Sequence, residues 1–225
     1  MPADLVLLHG FTQTGASWDG VVRELAGRYR ALAPDLGAGT WEGELDRLEA
    51  LAPERFTLAG YSMGGRLALA LAVRIQQRVE RLVLISASPG LANDGERAAR
   101  RAADEALADR IEAIGVEAFA REWAAQPLFA GQPAEVAAAA HADRLRRGAG
   151  ELAAQLRGLG TGAMPPLWER LGELSMPVSA VVGERDPKFR TIAERMGFPV
   201  EVVAGAGHAL PLEAPAAVAA HLAVP

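Results

Sequence analysis

Residues 60–66 read GYSMGGR: Gly60, Tyr61, Ser62, Met63, Gly64, Gly65 and Arg66. A serine sits between two bulky neighbours and is framed by glycines. The apolar run Phe56 to Ala59 lies just before it, and the stretch LALALA follows Arg66. A short apolar run, then glycines, then an apolar run of helical length predicts a strand that turns sharply into a buried helix. Only small residues at the flanks let the two backbones approach, so the turn strains its central residue and exposes that side chain at a helix N-terminus. Free N–H groups and the helix dipole favour negative charge there. With six serines and 24 glycines in the chain, chance gives about 0.07 matches to G-x-S-x-G, and the strand–helix context sharpens the signal. The plain alternative is a glycine-rich turn with no chemistry.

The chain on either side supports a layered fold. Leu5 to Leu8 is an apolar run closed by His9-Gly10 and reads as a buried strand. Ser17 to Arg28 carries Trp18, Val21, Val22 and Leu25 at helical spacing, with Ser17 at the N-cap position. Ala31 to Ala33 reads as a strand, Thr40 to Leu51 as a helix, Phe56 to Ala59 as a strand, Gly64 to Arg74 as a buried helix and Leu82 to Ile85 as a strand. This alternation predicts an α/β fold, a mostly parallel sheet with helices on both faces. From Gly90 to Gly172 no strand pattern occurs, and helices are expected over 94–114, 116–125, 133–147 and 151–159 and near Trp168. Strands resume at Val178 to Val182 and Val200 to Val203, with helices at Phe189 to Met196 and Ala214 to Leu222. The expected organisation is a core of 1–89 and 173–225 with a helical cap, 90–172, over the carboxyl ends of the strands, where such sheets bind ligands.

Composition narrows the function classes. A chain of 225 residues suits one full core, and its net charge of -5 gives no basis for a nucleic-acid or anionic-membrane partner. The absence of cysteine excludes disulfides and thiolate chemistry. The N-terminus lacks the basic start and long apolar region of a signal peptide, and no apolar run approaches the ~20 residues of a membrane span. A cytoplasmic protein is expected. No His, Asp or Glu grouping has metal-ligand spacing, so neither metal nor cofactor is implied. Lys188 is the sole lysine among 23 basic residues.

A serine hydroxyl needs a base to take its proton. Of the four histidines, His9 follows the first strand and reads as structural, while His141 and His221 fall on expected exposed helices. His208, in AGAGHALP, lies in a Gly-rich loop after the last strand and can reach the sheet's carboxyl edge. Asp186, in VVGERDPKF, is the favoured partner to orient it, with Glu184 as rival and a structural ion pair as the alternative for either. The order Ser62, Asp186, His208 is similar to the triad order of α/β-hydrolases. Backbone N–H groups of Phe11, after the first strand, and Met63, after the serine, are the expected oxyanion donors.

Arg66 shares a helix face with Ser62, four residues away. A guanidinium beside a nucleophile can bind a substrate carboxylate bidentately or pair with a protein acid, and residue chemistry leaves these open.

GYSMGGR, SPGLANDGERAARRAAD, EWAAQPLFA, GERDPKF and AGAGH together resemble a known family, from His9 to Pro215. It is the synthase of menaquinone biosynthesis that forms 2-succinyl-6-hydroxy-2,4-cyclohexadiene-1-carboxylate, an α/β-hydrolase fold that acts as a lyase and expels pyruvate. The resemblance implies that Ser62, with His208 and Asp186, acts as general base, and that the oxyanion hole holds an enolate. It implies a small tricarboxylate substrate, met by Arg66, by Arg100 in ERAARRAAD and by Arg144 in HADRLRRG. Arg101, Arg146 and Arg147 compete for the last two roles. It also implies substrate contacts from Tyr61 and from Trp123, which can equally serve the cap's core. Two departures concern pocket shape: PDLGAGTW lacks the family's histidine and serine, and no hairpin precedes the first strand. Competing readings are a serine hydrolase of an acidic substrate, a carboxylesterase or C–C bond hydrolase, and an inactive binding module on the same scaffold.

Overall fold

The computed structural model describes residues 2–224. Its six strands are β1 (Ala3–Leu8), β2 (Tyr29–Leu32), β3 (Phe56–Tyr61), β4 (Val79–Ile85), β5 (Val178–Gly183) and β6 (Val200–Val203). All neighbours pair in parallel, in the spatial order β2-β1-β3-β4-β5-β6. The chain starts centrally at β1, steps out to β2, then crosses back to β3 and continues the other way. The order therefore reverses between β1 and β3, the crevice where open α/β sheets bind ligands.

Both sheet faces are covered, which is why the central strands are unbroken apolar runs. Val6, Leu8, Leu58, Leu82 and Leu84 pack with α2 (Trp41–Leu51) and α3 (Met63–Arg74). Leu5, Leu7, Ala59, Val83 and Ile85 pack on the opposite face with Trp18, with Val21 of α1 (Asp19–Glu24) and with Leu222 of α9 (Pro215–Ala223). Every residue of α3 from Met63 to Val73 is buried.

Between β4 and β5 lie three long helices, α4 (Asp94–Ala124), α5 (Ala134–Arg144) and α6 (Ala149–Leu159). Ala108, Ile111 and Phe119 of α4 meet Leu152 and Leu156 of α6 in a separate apolar cluster. α4 is one long element with a break at Gly115, φ 78° and ψ 166°, the position that separates the two helices expected there. Asn93 caps it, accepting from Glu96 N at 3.0 Å.

Several sequence expectations are corrected. Ser17 is not a helix cap. It lies inside a 3-10 turn, Gly15–Trp18, capped by Thr14, and its hydroxyl donates back to Thr14 O at 2.8 Å. The turn forms because Asp35 takes the Gly15 N–H at 2.7 Å and Trp18 is drawn fully inside. α1 then ends at Glu24, with Ala26 and Gly27 at positive φ, so it stops short of Arg28. α5 ends at Arg144 because Arg147 turns inward. Leu210–Glu213 forms a separate short helix, α8, before α9, and α7 spans Pro187–Met196.

The helices between β4 and β5 are tied to the rest of the chain by polar contacts. Asp143 accepts from Thr14 N at 2.9 Å and Thr14 Oγ1 at 2.5 Å. Arg147, buried, donates to Gln13 O at 3.3 Å and to Leu36 O at 3.2 Å, and pairs with Glu151. Gln155 of α6 adds a third donor to Leu36 O, at 3.1 Å. His9 lies under this knot. Its Nδ1–H donates to Gly10 O at 2.8 Å, and its Nε2 accepts from Leu36 N at 2.9 Å and from Arg147. The ring is thus committed to the neutral form, and burial holds its pKa down at about 4.

This yields a stability test. The unfolded chain protonates His9 near 6.5, and the folded chain protonates it only near 4. Between those values the unfolded state binds more protons, so stability is full above pH 6.5 and is lost as pH falls towards 4. The loss amounts to about 3 kcal/mol. Urea unfolding at a series of pH values should give a steeper fall for the wild type than for His9→Gln over this window. Parallel curves would show that the imidazole carries none of it.

Candidate active site

Ser62 forms the junction of β3 and α3 with φ 52° and ψ -109°, a strained conformation for a residue with a side chain. Its N–H donates to Ile85 O at 2.9 Å, tying the turn to β4. The flanking glycines are forced by contact. A Cβ on Gly60 would lie 2.3 Å from Gly64 O, and one on Gly64 would lie 2.2 Å from Leu8 O. The hydroxyl therefore projects at the carboxyl edge of the sheet while the backbone beneath it stays locked.

His208 Nε2 lies 3.1 Å from Ser62 Oγ, and its Nδ1 lies 2.6 Å from Asp186 Oδ2. Both His208 and Asp186 are buried. Asp186 also caps α7, accepting from Phe189 N at 3.4 Å, and the Phe189 ring centre sits 4.6 Å from the imidazole. Glu184, the rival acid, turns away and accepts from Gly205 N at 2.8 Å. The loop carrying His208 is held by Glu213, which accepts from Gly207 N at 2.7 Å and Ala209 N at 3.1 Å and pairs with Arg185 at 3.1 Å. Sequence reasoning missed Glu213; an acid five residues after the histidine was its only signal. The N–H groups of Phe11 and Met63 have no acceptor among the described residues, and both residues line the same cavity as Ser62.

That cavity has a volume of about 710 Å³ and is lined from α3, α4, α6 and α7 and the loops beside them. Phe11, Trp123, Leu128, Leu156 and Ile192 give it apolar walls, and Arg66, Arg100, Lys188 and Arg195 give it cations. Arg66 is only 8% exposed. Its Nη1 donates to Leu159 O, at the C-terminus of α6, at 2.9 Å, and its guanidinium lies 6.0 Å from the Trp41 ring centre. No carboxylate pairs with it among the described residues, which removes one of its two open readings. Burial, then the nearby Arg100 charge, lower its pKa to about 10, with Asp104 opposing, so it remains a cation at neutral pH. Arg100 pairs with Asp104 at 2.7 Å and faces the cavity, whereas Arg101 donates to Gly162 O at 3.2 Å.

Two expected substrate contacts lie outside this cavity. Arg144 is buried, donates through Nε to Thr12 Oγ1 at 3.1 Å, lies 5.6 Å from the Phe129 ring centre and leaves Nη1 without a partner. Burial lowers its pKa. The Tyr61 ring packs against Gly10 and lies 5.3 Å from His208, its phenol pKa raised chiefly by burial. The rings of Tyr61 and of Phe129, on which Arg144 rests, lie 5.3 Å and 6.3 Å from the imidazole. Arg146 pairs with Asp143 at 3.8 Å, and Arg147 is taken up by Leu36 O at 3.2 Å. The Trp123 ring packs edge-on against Phe11 at 5.3 Å and also lines the cavity.

The other histidines also needed correction. His141 is half-buried, and His221 is not free on the surface: it hydrogen-bonds Ser179 at 2.8 Å and pairs with Glu201. Among the described residues no group of three or more His, Asp or Glu could hold a metal ion, and no helix is long and apolar enough to cross a membrane.

With this geometry in view, known proteins can be compared. The model of the alpha/beta hydrolase family matches residues 5–221. A Salmonella agona 2-succinyl-6-hydroxy-2,4-cyclohexadiene-1-carboxylate synthase is 33% identical over 97% of this chain and 92% of its own. A Bacillus subtilis protein provisionally given the same name is 36% identical over 94% of this chain and 85% of its own. The structure of MenH from S. aureus superposes with a TM-score of 0.92 at 28% identity, covering 98% of this chain and 91% of that one. The chain belongs to the alpha/beta hydrolase family and, within it, to the 2-succinyl-6-hydroxy-2,4-cyclohexadiene-1-carboxylate synthases, enzymes of menaquinone biosynthesis.

Proposed function

We propose that this chain eliminates pyruvate from 2-succinyl-5-enolpyruvyl-6-hydroxy-3-cyclohexene-1-carboxylate to give 2-succinyl-6-hydroxy-2,4-cyclohexadiene-1-carboxylate. The observation that carries this reading is Arg66, a buried cation with no carboxylate partner among the described residues, in the same cavity as Ser62. A hydrolase of neutral esters has no task for such a charge. A tricarboxylate substrate gives it one.

In the proposed mechanism His208 Nε2 takes the Ser62 proton, and the Ser62 oxygen abstracts the ring C–H next to the succinyl ketone. Asp186 fixes the imidazole tautomer and stabilises the imidazolium. The electron pair moves onto the ketone oxygen, and the resulting enolate is held by the N–H groups of Phe11 and Met63. When the enolate collapses, the ring C–O bond to the enolpyruvyl group breaks. The leaving group carries away the electron pair, gains the proton through His208 and becomes pyruvate. Preorganised donors suit this step because they act where charge develops and need no reorganisation. Arg66 and Arg100 hold carboxylates within the cavity, and Arg144, with its free Nη1, stands against Phe129, whose ring lies 6.3 Å from His208. Residues 90–172 serve as a cap that supplies Arg100, Trp123 and Arg144, while 1–89 and 173–225 supply the reacting groups.

The test mixes purified protein with freshly prepared substrate and follows pyruvate release together with conjugated-diene absorbance. Wild type should give both signals. Ser62→Ala and His208→Ala should each lower kcat by about 10³-fold. Simple-ester hydrolysis without pyruvate release would overturn the lyase reading in favour of a serine hydrolase.

Arg66→Ala should lower kcat/KM about 10²-fold, with Arg66→Lys recovering part of it, since Lys restores charge without the planar fork. Thermal melts of both variants would check that the fold survives. If Arg66→Ala retained full kcat/KM, Arg66 would be no ligand.

A further inference from the structure

Helix α7 runs from the triad region to the rim of the cavity. Asp186 caps its first turn, and Lys188, Phe189, Ile192 and Arg195 line the cavity. The spacing puts 188, 192 and 195 on one helical face. At 1.5 Å per residue, Arg195 lies roughly 13 Å along the helix from Asp186.

Arg195 differs from the chain's other arginines. On the same helix, Arg190 pairs with Glu194 at 3.0 Å, and Arg185 pairs with Glu213 just before it. Among the described residues, only Arg28, Arg121 and Arg195 have arginine side chains with neither a carboxylate nor a hydrogen-bond acceptor. Of these only Arg195 lines the cavity. Its guanidinium instead stacks on Trp168, 4.2 Å from the ring centre. Trp168 is itself anchored, donating from Nε1 to Gly90 O at 2.9 Å. Stacking uses the flat face of a guanidinium and leaves its N–H edge free to donate in the plane, the arrangement that recognises a carboxylate. Arg195 is exposed near the end of α7 opposite the Asp186 cap, a place suited to binding rather than to acting on the reacting atoms.

We propose that Arg195, held in place by Trp168, is a specificity-determining contact that docks the substrate carboxylate farthest from Ser62. This rests on the tricarboxylate reading above. It predicts an effect on binding and none on the chemical step, since the contact is the same in ground and transition states.

The experiment is steady-state pyruvate release by wild type, Arg195→Gln, Arg195→Lys, Trp168→Leu and Arg190→Gln, at low and high salt. Arg190→Gln removes the same charge from the same helix but lies outside the cavity. Arg195→Gln should raise KM about tenfold with kcat within about twofold of wild type. Arg195→Lys and Trp168→Leu should fall between, and Arg190→Gln should match wild type. Equal KM values for Arg195→Gln and Arg190→Gln would overturn the proposal. If wild type releases no pyruvate, the lyase reading fails and Arg195 is tested alone by calorimetric titration with propane-1,2,3-tricarboxylate. Tighter binding to wild type than to Arg195→Gln supports the contact, and equal or undetectable binding to both overturns it.

Discussion

The close approach of α3 to the sheet is the constraint on which the rest depends. Gly60 meets Gly64 backbone to backbone, and Gly64 sits against the carbonyl of Leu8. No side chain fits at either point. The approach sets three things at once: the strained conformation of Ser62, the direction of the first turn of α3, and the position of Met63 N–H beside the loop after β1. The site is therefore assembled by backbone packing before any catalytic side chain contributes. Interiors pack densely enough that a single added methyl group would be transmitted to all three.

A second level of order comes from the loop after β2. Leu36 O accepts from Arg147 and Gln155, and Leu36 N donates to His9. One backbone position thus joins the loop after β1 to the α5–α6 link and to α6. Together with the Thr14–Asp143 pair, this fixes α5 and α6 against the core. Through Leu156, α6 adds an apolar part of the cavity wall, while the cavity's cations come from α3, α4 and α7.

Much of this was legible in the sequence where one residue type can do one job. The glycine frame, the strand rhythm and the order of Ser62, Asp186 and His208 all follow from backbone sterics and proton-transfer chemistry, and these leave local marks. The break at Gly115 was legible for the same reason, since positive φ asks for glycine. Other features left no such mark. PDLGAGTW reads as a plain loop because its role lies in the carbonyl of Leu36, and backbone carbonyls are the same in every residue. Glu213 and Arg195 act through partners distant in sequence, and in an arginine-rich chain one more arginine carries no signal. Ser17 misled because its hydroxyl suits a cap, while the neighbouring Thr14 had both the cap geometry and a partner in Asp143.

Arg66 has a consequence beyond recognition. Its guanidinium is buried with the C-terminal carbonyl of α6 as acceptor and, among the described residues, no carboxylate paired with it. A helix terminus supplies only about half an elementary charge, so the folded chain carries part of an electrostatic penalty that the unfolded chain does not. An anionic ligand removes that penalty only in the folded state. On the proposed docking of a substrate carboxylate at Arg66, occupancy and folding stability are linked through this one side chain, and resistance to heat and proteolysis becomes a function of how much substrate reaches the protein.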